Sequence, residues 1–213
     1  MARTIAPLVI VFLSFTMTDS FAQNTKQTTG ELLLSGAIMV KDGDTITIGD
    51  VKVRLRGIDA AEDGQQCKAA DGSTWDCAKA ATDALKELIE KNSGWVRCQH
   101  VDTDKKNNRP VARCVVGDVD VQRELVRRGF AWAYREYENC YVREEEEAKK
   151  KGLGIWQAYT PPPWEWRERK NWIKRFGASL GWKPKPRIEH QECSSQALKS
   201  ALPPHSTPAQ PGR

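Results

Sequence analysis

Three short stretches of this chain collect carboxylates and arginines in a pattern suited to handling an anion. They read VKDGDT over Val40–Thr45, VRLRGIDAAE over Val53–Glu62 and DKKNNRPVAR over Asp104–Arg113. Asp44 and Asp59 offer two hard oxygen donors, with Asp42 a third close by, and hard divalent cations take such ligands. A cation held this way polarises a phosphoryl oxygen and orients a water. Arg54 and Arg109 bring guanidinium groups, which stay charged and grip phosphate oxygens two at a time. Together these residues suit binding an anion and stabilising negative charge as it gathers on one. Taken singly, each has a plainer explanation. Asp42-Gly43-Asp44-Thr45 would serve as a hairpin turn, Asp59 and Glu62 as loop acids, Arg54 as the outward residue of a strand, and Arg109 as a solvated loop end.

The elements that must position these residues follow from periodicity. Residues 32–40 read as a strand, a turn at Lys41–Asp44 leads into Thr45–Ile48, and Gly49-Asp50 turns the chain into Val51–Arg56, a three-strand meander. Residues 78–90 place Ala78, Ala81, Leu85, Leu88 and Ile89 on one helical face, with Asp76 as N-cap. Trp95–Val101 and Val111–Val116 are two further strands joined by a polar loop. Asp120 caps a short helix ending near Arg128, where Gly129 stops it. Tyr141–Lys151 reads as a helix whose four glutamates precede three lysines, giving i,i+4 pairs on a solvated face. Pro161-Pro162-Pro163 marks a domain edge, and 164–176 suits a short amphipathic helix. The pattern predicts an α+β fold, an OB-type five-stranded barrel with about three helices. Its divisions are a signal peptide over 1–22, a barrel domain over 23–160, a basic extension over 161–187 and a disordered tail over 188–213.

In order and content, the three stretches resemble those of the staphylococcal nuclease (thermonuclease) family. The likeness continues through Leu125-Val126-Arg127-Arg128-Gly129-Phe130-Ala131 and Gly152-Leu153-Gly154-Ile155-Trp156. It implies that Asp44, Asp59 and the Ala60 carbonyl ligate calcium, with Asp42 and Thr45 just outside the ligand shell. It further implies that Glu62 is the general base, that Arg54 and Arg109 grip the phosphate, and that cleavage at the 5′ oxygen leaves 3′-phosphate ends. Tyr134, Lys105 and Lys106 would contact the nucleic acid. The chain departs from the family twice. Ala61 stands where a proline usually fixes the backbone before the glutamate, and Lys105–Asn108 holds no aromatic to stack on a base, a contact worth about 1–3 kcal/mol.

Composition bounds the setting. A basic start, an apolar run over Ile5–Phe15 and the small residues of Ser20-Phe21-Ala22 predict export to the periplasm or medium, with cleavage before Gln23. The run is shorter than the roughly 18 apolar residues of a membrane anchor, and the exported protein is expected to act as a monomer. Six cysteines, none in a CxxC pair, fit disulfides in an oxidising compartment better than a zinc site. Cys67 and Cys77 bracket a loop, Cys98 and Cys114 lie on strands expected to pair, and Cys140 with Cys193 is the remainder. Between Trp164 and Arg187 stand eight Lys/Arg against two Glu, so the +5 net charge belongs to this segment and the body is nearly neutral. The segment also carries Trp164, Trp166, Trp172 and Trp182. It is either a second contact for nucleic acid or a helix whose tryptophans pack on the barrel. The expected function is calcium-dependent hydrolysis of DNA and/or RNA. The alternatives are a catalytically weak nucleic-acid-binding module or an envelope interaction domain on the same fold.

Overall fold

A computed structural model describes residues 33–92, 94–177 and 181–183. The expectations for the signal peptide, the tail beyond 188 and Cys193 lie outside the described residues.

Five strands build the barrel: β1 (Leu33–Asp42), β2 (Thr45–Ile48), β3 (Val51–Leu55) and, further on, β7 (Trp95–Asp104) and β8 (Arg109–Val116). Between them lie three short strands and a helix: β4 (Ile58–Ala60), β5 (Gln66–Lys68), β6 (Thr74–Asp76) and α1 (Cys77–Lys91). After β8 come β9 (Val119–Asp120), α2 (Val121–Arg127), β10 (Ala131–Ala133), α3 (Val142–Lys150), a 3-10 turn at Gly154–Trp156 and α4 (Pro163–Phe176). The barrel strands run in the order β3-β2-β1-β7-β8, and β3 returns to pair in parallel with β8 through Arg54↔Val111 and Leu55↔Ala112. That pairing closes the sheet. Alternation puts Ile46, Ile48, Val53, Leu55, Val96, Ala112 and Val116 inside, where they meet Leu85, Leu88 and Ile89 of α1 and Leu125 of α2.

The expected caps hold. Asp76 accepts from the Lys79 N–H at 2.9 Å and Asp120 from the Arg123 N–H at 2.9 Å, each satisfying an orphan donor of the first turn. Gly129 ends the segment after α2 with φ 74°. Its backbone lies so close to Leu153 and Gly154 that a Cβ on either glycine would strike main-chain atoms of the other stretch.

One expectation fails in part. The glutamate run of α3 is a solvated face only in part, because Glu146 is exposed but Glu144 and Glu145 are buried. The Glu145 carboxylate accepts from the Ala133 N–H at 3.0 Å and pairs with Arg135 and Lys149, so β10 and α3 are joined through a buried charge. Such a group is tolerated inside only when paired in this way.

Cys67 is bonded to Cys77 and Cys98 to Cys114. The second bond joins directly opposed residues of β7 and β8 and lies wholly within the core. Replacing both cysteines by alanine frees a 16-residue separation in the unfolded chain. Urea unfolding of that double variant is expected to show a loss of about 3 kcal/mol. Among the described residues no helix is long and apolar enough to cross a membrane.

Candidate active site

Asp44 follows the β1–β2 turn. Its N–H donates to the Asp42 carboxylate at 3.1 Å, which holds the turn shape, and its carbonyl accepts from the Leu55 N–H of β3 at 2.8 Å. The Asp44 side chain is thereby fixed under β4, where Oδ2 accepts from the Ala60 N–H at 3.1 Å and Oδ1 from the Thr45 hydroxyl at 3.0 Å. Asp59 sits in the middle of β4, fully buried, opposite Trp132 of β10. Arg54 reaches both acids, donating Nη1 to Asp44 at 3.1 Å and Nη2 to Asp59 at 2.7 Å.

Two buried carboxylates within reach of one guanidinium perturb each other. Burial and the charge of Asp44 push the Asp59 carboxyl up, against the donors from Arg167 and Arg54. Burial also opposes the charge of Asp44, but Arg54, the Ala60 N–H and Thr45 outweigh it and hold that group down. Concentrated, desolvated negative charge of this kind, presented as hard oxygen donors, fits a hard divalent cation. Among the described residues no group of three His, Cys, Asp or Glu side chains is arranged to hold a metal ion, and the two acids that Arg54 brings together are Asp44 and Asp59. The Ala60 hydrogen bond to Asp44 uses its N–H, not its carbonyl.

Glu62 follows β4 in a loop held without the proline. The Gln65 side chain is buried and accepts the Glu62 N–H at 3.1 Å, while its own amide donates to the Pro161 carbonyl at 2.8 Å. Lys68 N–H adds a bond to the Thr160 hydroxyl at 3.1 Å, and the Cys67–Cys77 bond closes the loop behind it. The polypeptide before α4 therefore braces the loop that aims Glu62.

Arg109 opens β8, two positions before the Val111 that pairs with Arg54, and lines the same cleft. Its Nε donates to Asp104 at 3.0 Å and its Nη1 to Thr45 Oγ1 at 3.3 Å. Burial raises the Asp104 carboxyl, but donors from Asn107 and Arg109 outweigh it and hold it down to about 2. Lys105 and Lys106 stand exposed at the hairpin tip and line the same cleft, which has a volume of about 570 Å³ and also takes in Arg54, Glu62, Tyr134 and Arg167. Tyr134 is buried on the cleft wall, with Trp164 of α4 stacked on its ring at 5.2 Å and Tyr137 meeting it edge-on at 4.9 Å. Below it, Glu138 ties Arg56 to Arg113 and packs so closely on Gly57, at φ 74°, that any side chain there would collide with the carboxylate.

Of the expected residues, Arg54, Glu62, Lys105, Lys106, Arg109 and Tyr134 line one cleft. Asp44 and Asp59 lie behind it on Arg54, Thr45 meets Arg109, and Asp42 and Ala60 bond to Asp44. Two that sequence reasoning passes over join them. One is Gln65, whose only signal is a glutamine three residues after Glu62. The other is Arg167, which donates Nη1 and Nη2 to the two oxygens of Asp59 at 3.1 and 2.7 Å and also contacts Glu62.

Comparison with known proteins agrees with this geometry. Residues 52–158 match the family described as staphylococcal nuclease homologue. An uncharacterized endonuclease of Escherichia coli O157:H7 is 33% identical over 141 residues, 62% of this chain and 84% of that protein. The succinoglycan biosynthesis protein ExoI of Rhizobium meliloti (strain 1021) is 34% identical over 126 residues, 58% of this chain and 64% of its own length. The probable staphylococcal-like nuclease CAN1 of Oryza sativa subsp. japonica is 30% identical over 131 residues, 60% of this chain but 36% of that protein. With its closed barrel, its buried acid pair and its cleft arginines, the chain belongs to the staphylococcal nuclease family, a family of nucleic-acid hydrolases.

Proposed function

We propose that this nuclease is exported, uses calcium, and cuts DNA and/or RNA to leave 3′-phosphate ends. The observation that carries the reading is Arg54 spanning two buried carboxylates beside a braced Glu62, on a cleft rimmed by Arg109, Lys105 and Lys106. Two bonded cysteine pairs support an oxidising compartment.

Asp44 and Asp59, with backbone oxygen, would hold the calcium, which when bound supplies Lewis-acid charge at the phosphoryl oxygen. The chain's own residues do the rest. Glu62 draws the proton from a water attacking phosphorus as the bond to the 5′ oxygen breaks and that oxygen takes a proton from solvent to leave as a hydroxyl. Arg54 and Arg109 leave their acid partners and donate N–H groups to the phosphate oxygens as charge gathers there. Asp104 keeps Arg109 aimed into the cleft until an anion competes for it.

The test is an assay of the purified mature chain on single-stranded DNA and RNA, in calcium and then in excess chelator. Cleavage in calcium, its disappearance on chelation and products that lose phosphate to a 3′-phosphatase are expected. Undiminished cutting in chelator would remove the metal from the reading. A weak binding module is the second reading, favoured by the two arginines that already engage Asp59. It predicts retention of the oligonucleotide with no cleavage in either condition.

A further inference from the structure

α4 begins beyond residue 158, where the family match ends, yet it is built into the site. Pro163 opens it at the first helical position, where the missing N–H costs nothing, and is itself buried. Directly after it Trp164 lies on Tyr134, and the next turn carries Arg167 over β4. The helix is anchored from behind by Gln65 on the Pro161 carbonyl and by Thr160 on Lys68. Past Arg167 the helix is basic and exposed at Arg169, Lys170, Lys174 and Arg175.

We propose that Arg167 is a third phosphate-binding arginine of this active site, stored on Asp59 and Glu62 until a cation and substrate arrive. This rests on the calcium-dependent nuclease reading above. The Arg167 guanidinium bridges the acid that would ligate the cation and the acid that would take the proton, so it stands where the scissile phosphate must come. Three carboxylates, Asp44, Asp59 and Glu62, face two guanidiniums, Arg54 and Arg167, and leave an uncompensated negative charge. A divalent cation on Asp44 and Asp59 reverses that balance and removes the partner that Arg167 forks onto. Glu62 stays beside it, and the phosphate held by Arg54 and Arg109 in the same cleft is the second anion to which the freed half of its fork can turn. Arg167 cannot yield by losing its proton, because a guanidinium stays charged throughout the physiological pH range. It must move from one anion to another.

Arg167→Ala and Arg167→Lys test this. Calorimetric titration with calcium alone is expected to show tighter binding in Arg167→Ala, because a competitor for Asp59 is gone. In calcium, affinity for a fluorescent single-stranded octanucleotide and kcat/KM are both expected to fall by about tenfold or more, the scale of one charge-assisted phosphate contact. Arg167→Lys should recover part of the octanucleotide affinity, which a purely structural role would not produce. A rise in both calcium affinity and kcat/KM would make Arg167 a plug and overturn the proposal. Unchanged calcium and octanucleotide binding would reduce it to a surface ion pair and overturn the proposal equally. If the wild-type chain failed to cut, the nuclease reading would fall on its own, while the two binding measurements would still decide the role of Arg167.

Discussion

Glu62→Gln is expected to lower kcat by about 10²–10⁴-fold, the range contributed by a positioned general base, while leaving KM and the melting temperature nearly unchanged. The substitution keeps the shape of the side chain but removes its negative charge, and with it the ability to take a proton and the ion pair with Arg167. The fold has little reason to respond. The loop is held through the Glu62 backbone, which bonds Gln65 in both directions at 3.1 and 2.8 Å, and the side chain itself is a third exposed. Initial-rate kinetics on single-stranded DNA, with circular dichroism as the control, decide the matter. A variant cutting at near wild-type rate would show that another group takes the proton.

Arg54→Met is expected to act on stability and turnover together, and to reveal the cation seat. The guanidinium bridges Asp44 and Asp59, whose side chains are almost wholly inaccessible. Removing it leaves buried carboxylates short of a partner, a loss of about 3–5 kcal/mol, softened where Asp59 takes up a proton. In urea unfolding with chelator the variant should show that full deficit. Calcium should then restore much of it, because a ligand binding only the folded state stabilises by mass action. Wild-type protein, in which Arg54 already partners both acids, should gain less. Turnover should still fall by at least about 10²-fold, since calcium cannot replace the donor to the phosphate. Equal gains from calcium in variant and wild type would place the cation somewhere other than this acid pair.

How far the chain can be read in advance depends on the range of each interaction. Alternating residues reveal β2 and β3, and Asp76 and Asp120 announce their helices because a cap acts over three residues. The three-residue strands β4 and β10 are too short for a period to register, so Asp59 passes for a loop acid although it sits in a buried ladder. Glu144 and Glu145 mislead for a related reason. A charge run looks solvated until a distant N–H and two cations arrive to pair it, here from Ala133, Arg135 and Lys149. Arg167 lies 108 positions from Asp59. Nothing near it in sequence marks it off from the other basic residues of its segment, and only the seating of Trp164 on Tyr134 aims it inward. That stack also favours packing over exposure for at least one of the segment's tryptophans.

The barrel's closure has a consequence for how the enzyme wears out. Its seam between β3 and β8 is the shortest ladder in the ring, with Arg54↔Val111 and Leu55↔Ala112 as its register pairs, reinforced by the Arg56 N–H on the Ala112 carbonyl at 2.8 Å. Arg54, the residue that organises the acid pair, is a member of that seam. Short ladders open in sub-global fluctuations that cost less than unfolding the whole molecule. Each such breath loosens one edge of the strand that carries the arginine, while the disulfide-bonded β7–β8 ribbon stays intact. Catalytic competence and global integrity therefore have separate thresholds, and the weakest hoop of the barrel sets the lower one.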